Sequence, residues 1–62
     1  MSGFLLILTF TFPGQPPMEQ PIGLIYDPRA CAIAGAGMAM ILQEANPGLT
    51  VTPECRPAGA AT

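Results

Sequence analysis

The chain has 62 residues, half of them apolar, with two arginines, four carboxylates, no lysine and no histidine, for a net charge of −2. Arg29 and Arg56 alone cannot neutralise a phosphate backbone, so nucleic acid is not an expected partner. The missing His and Lys also remove the commonest general base, the commonest zinc ligand and Schiff-base chemistry, so no catalytic residue, cofactor or metal is expected.

From Phe4 to Phe12 the residues are aromatic, β-branched or leucine, and Phe10 and Phe12 alternate with Thr9 and Thr11. That period of two predicts a strand. Its first half is apolar on both faces, which suits a central or covered strand, because a long uncharged edge invites aggregation. The run also has the apolar character of a signal peptide. However, Met1-Ser2-Gly3 carries no Lys or Arg and Pro13 to Pro21 offers no small-residue cleavage site, so a cleaved signal peptide is not expected. Neither this run nor Ala30 to Leu42 reaches the ~20 residues of a spanning helix, and no membrane span is expected.

Residues 13–21 contain four prolines and predict a stiff extended loop. Ile22 to Tyr26 follows as a short second strand, antiparallel to the first. Asp27-Pro28 is a helix start, since Asp caps free backbone N–H groups and Pro needs none at the first helical position. The helix is expected from about Pro28 to Ala45, stopped by Asn46-Pro47-Gly48. Leu49 to Thr52 reads as a third strand, followed by a small-residue tail over 56–62. The expected fold is a single α+β domain over 1–62: a small antiparallel sheet in the order β-β-α-β, with one helix packed on it.

A chain this short buries only about 60% of its unfolded surface, and such cores supply roughly 3–5 kcal/mol. A staple is therefore expected. A helix laid antiparallel to the last strand brings Cys31, in its first turns, beside Cys55, and a Cys31–Cys55 disulfide follows. Closing that loop is worth about 3.5 kcal/mol on the chain-entropy model. Two cysteines without histidine supply only half a closed zinc site.

The helix itself carries the remaining signals. Gly35-Ala36-Gly37, with Glu54 further on, resembles the glycine-rich fingerprint of dinucleotide-binding Rossmann proteins, which would imply a nucleotide cofactor. Met40 stands in place of the third glycine, however, and Asp27-Pro28 starts the helix well before Gly35. That reading is set aside in favour of packing. At helical spacing Cys31, Gly35 and Ala39 form one row of small residues and Ala32 and Ala36 another, on which a sheet or a second helix can approach closely. Two mid-helix glycines cost roughly 1 kcal/mol each, a loss that a close neighbour would offset.

From Ala30 to Leu42 the helix is apolar on nearly every side, more than one small sheet can cover. The surplus predicts an interface with other protein chains, with Phe4, Leu6, Met38, Met40 and Leu42 as its candidate residues. Glu19, Asp27, Glu44 and Glu54 are scattered along the chain and suggest no acid–base pair. The expected role is a non-enzymatic accessory component of a larger assembly, for which a virion capsid or tail protein is one setting. The alternative is a secreted or periplasmic disulfide-bonded binding module; an enzyme subunit would need its catalytic groups from another chain.

Overall fold

A computed structural model of the chain describes residues 3–58. Three strands, β1 (Gly3–Thr11), β2 (Met18–Ile25) and β3 (Thr50–Ala58), and one helix, α1 (Pro28–Ala45), follow in the order β1-β2-α1-β3. The sheet is antiparallel with β1 in the middle, flanked by β2 and β3. The expected α+β architecture is therefore the observed one. No helix among the described residues is long and apolar enough to cross a membrane.

Two strands are longer than the sequence pattern suggests. β2 begins at Met18, inside the proline-rich segment, and β3 continues past Thr52 to Ala58. Residues 56–58 of the expected tail are thus strand, while 59–62 lie outside the described residues. The prolines are tolerated because of where they point. In an antiparallel ladder, opposed residues alternate between bonded and non-bonded pairs. Pro21 opposes Ile7, Pro53 opposes Leu8 and Pro57 opposes Phe4. Each can be accommodated if odd-numbered residues of β1 bond towards β3 and even-numbered ones towards β2. All three proline nitrogens then face the outer edges, where no N–H is needed. A register shift between Leu6 and Ile7 takes up one extra residue, Ile22, and keeps Pro21 in this outward phase.

Val51 shares the outward phase of Pro53 and Pro57. Its N–H is not left open, because the Gln43 side-chain oxygen accepts it at 2.8 Å from the helix above. The β3 edge is thereby closed to strand addition over most of its length: two of its outward positions have no donor and a third is capped.

α1 starts as its sequence dictates. The Asp27 side chain accepts a hydrogen bond from the Arg29 N–H at 3.2 Å, with Pro28 beginning the first turn. At the other end both the backbone N–H and the side-chain amide of Asn46 donate to the Leu42 carbonyl, and Gly48, at φ 91°, turns the chain into β3. The helix lies mainly over β3 and β1. Leu6, Leu8, Cys31, Ala39, Leu49 and Val51 form the core between helix and sheet, while β2 is exposed along nearly its whole length.

Candidate functional site

Two features fix the roll of α1 on the sheet. The Cys31–Cys55 disulfide ties its first turns to β3, with the Cα atoms 6.2 Å apart. One turn on, the backbone at Gly35 comes so close to the sheet that a Cβ there would stand 2.9 Å from the Pro53 Cβ and 3.0 Å from Leu6 Cδ1. Cys31, Gly35 and Ala39 are the buried residues of the helix, so the row expected to accept a close neighbour accepts the chain's own sheet. The second row does not: Ala32 and Ala36 are exposed.

With the roll set, the 3.6-residue period decides what faces away from the sheet. Arg29, Ile33, Gly37, Met40 and Glu44 follow one another at spacings of three or four residues on the outward side, with Ile41 beside them. Ile33 and Ile41 are each 67% exposed and Met40 60%. Between Arg29 and Glu44 the sequence contains no charged residue. Gly37 differs from Gly35: a Cβ there would meet nothing within 4 Å, so the chain's own packing does not require a glycine at this position. On the β3 flank, Ala36, Ala39, Met40, Gln43, Glu44 and Pro53 line a shallow, open depression.

The five residues expected at an interface divide. Met38 and Met40 are exposed on the helix. Phe4 and Leu42 are partly buried against the core, and Leu6 is fully buried within it. Leu6 is therefore a correction: its side chain sits under Gly35, where it has no surface to offer another molecule. Ile33 and Ile41 belong on the outward face in its place. The expectation named neither, although the Cys31–Cys55 bond and the row Cys31, Gly35 and Ala39 already point the opposite side of the helix, with Ile33, away from the sheet.

The other face of the sheet holds a charge cluster that the sequence reading missed. Arg56 donates to both Glu54 carboxylate oxygens, at 2.9 and 3.2 Å, and approaches Glu19 at 3.6 Å. Glu54 and Arg56 lie on β3 and Glu19 on β2, so the guanidinium crosses the central strand above Ile7, which is only 3% exposed. The Arg56 hydrogen bonds hold the Glu54 carboxyl below its ordinary value, and the same contact raises the guanidinium. The carboxylates are thus not all scattered: two share one face. The i, i+2 relation of Glu54 to Arg56 would have shown that pair, had Pro53 not disguised β3 as a tail, whereas Glu19 joins it only through the pairing of β2 with β1.

Among the described residues no group of three or more His, Cys, Asp or Glu side chains is placed to hold a metal ion. Comparison with known proteins gives no match among family models, curated proteins or solved structures.

Proposed function

We propose that this chain is a non-enzymatic interaction protein, an accessory component of a larger protein assembly, and that it docks through the outward face of α1. The observation that carries this reading is the uncharged apolar surface formed by Ile33, Met40 and Ile41 around Gly37 on the side of the helix turned away from its own sheet. Exposed apolar surface of this continuity marks contact sites in proteins that remain folded in water. The disulfide is compatible with an oxidising setting, which a virion and the extracellular or periplasmic space both provide. In the second setting the alternative role is a small binding module that uses the same face.

The test is the native mass of the chain in extracts of the cells or particles that contain it. The chain should migrate above its own 6.4 kDa, as a dimer or in a larger complex, and an Ile33→Gln/Ile41→Gln variant should migrate alone. Migration of the wild-type chain at its own mass, under gentle lysis, would overturn the proposal.

A further inference from the structure

We infer that the outward face of α1 joins two copies of this chain, packed antiparallel about a two-fold axis at Gly37, with Arg29 of each copy opposite the partner's Glu44. The inference rests on the docking role proposed above and names the occupant. Its basis is the charge pattern. Within the helix the exposed apolar face is bracketed by Arg29 in the first turn and Glu44 in the last, fifteen residues or about 22 Å apart, with the Asp27 carboxylate ahead of the helix engaged in capping the Arg29 N–H.

The midpoint of Arg29 and Glu44 falls between Ala36 and Gly37. An antiparallel two-fold centred there brings opposite charges together at both ends, whereas a parallel one would set like against like. Among the described residues neither the Arg29 nor the Glu44 side chain forms an ion pair within its own chain. The same operation sets Ile33 against the partner's Met40 and the partner's Ile41, and it places at the crossing point the glycine that the monomer leaves unused. Such self-complementarity is what an isologous contact requires. Antiparallel helix dipoles favour it as well.

An 18-residue helix presents a strip about 27 Å long and about 10 Å wide. One such strip, about 270 Å² on each copy, is smaller than the standard specific interface, so the dimer should be weak and concentration-dependent.

Sedimentation equilibrium of the oxidised full chain, from micromolar to millimolar concentration, tests this with Arg29→Glu, Glu44→Arg and the double swap. All changed positions are exposed on the helix and leave the core untouched. The wild type should form dimers and stop there. Each single reversal places like charges at both ends of the contact and should weaken association about tenfold or more; the double swap should restore it. A wild-type chain that stays monomeric at millimolar concentration overturns the inference. So does a dimer indifferent to the single reversals, or one that the double swap fails to restore. A monomeric purified chain that still migrates in a large native complex would refute self-association while leaving the docking role standing.

Discussion

Replacing Gly35 with Ala and, separately, Gly37 with Ala should change stability in opposite directions, although the two glycines stand two residues apart in one helix. By helix propensity alone each change should stabilise by about 1 kcal/mol. At Gly37 nothing opposes that gain, because a Cβ there meets no atom within 4 Å. At Gly35 the new methyl would stand 2.9 Å from the Pro53 Cβ and 3.0 Å from Leu6 Cδ1. The proline ring cannot rotate away, and Leu6 is fully buried with nowhere to move. Overpacking of this kind costs about 1–3 kcal/mol and should exceed the propensity gain, leaving Gly35→Ala destabilised by about 1 kcal/mol or slightly more. For a domain of this size 1 kcal/mol moves Tm by roughly 4–8 °C. Thermal melts under oxidising conditions, at concentrations too low for self-association, should therefore place Gly35→Ala several degrees below the wild type and Gly37→Ala several degrees above it. A Gly35→Ala variant as stable as the wild type would mean that the helix does not lie this close to β3, and the assignment of its outward face would fail with it.

Reducing the Cys31–Cys55 bond, which spans 24 residues, should remove about 3.5 kcal/mol, comparable with the whole core of so short a chain. Far-UV circular dichroism should show the reduced chain largely unfolded near body temperature, and a reduced chain with an unchanged melt would contradict this. The Arg56–Glu54 contact should appear in acid titration. Because the folded carboxyl titrates below its ordinary value of 4.5, the contact contributes stability above that pH and loses it as pH falls through the lower, folded value. Arg56→Gln should shift the Glu54 midpoint upward in a carbon-13 carboxyl titration, and an unmoved midpoint would show that the guanidinium is not its partner.

Much of the architecture was legible in the sequence because local signals and tertiary demands agree. Asp27-Pro28 and Asn46-Pro47-Gly48 bound α1 where capping chemistry places them. The antiparallel return of β3 brings Cys31 to Cys55, as the helix–strand geometry requires. What escaped were properties set by neighbours in space. Proline usually signals the end of a strand, yet Pro21, Pro53 and Pro57 all occupy outward positions on edge strands, where the missing N–H costs nothing. β2 and β3 therefore extend into segments that read as loop and tail. The same disguise hid the Arg56, Glu54 and Glu19 cluster. In the helix, the spacing puts Gly35 and not Gly37 in the row of Cys31, but only the positions of Pro53 and Leu6 show how closely the sheet approaches it. Leu6 was misplaced for a related reason: an apolar residue on a strand does not announce whether it will meet its own helix or another chain.

The most direct measurement uses the methionines as reporters of the helix face. Met40, 60% exposed on α1, and Met18, 68% exposed on β2, should oxidise at similar rates in the isolated chain treated with dilute peroxide. In the assembled state, Met40 should be protected several-fold while Met18 remains reactive. Equal oxidation of the two methionines in the assembled state would contradict the assignment of α1 as the docking face.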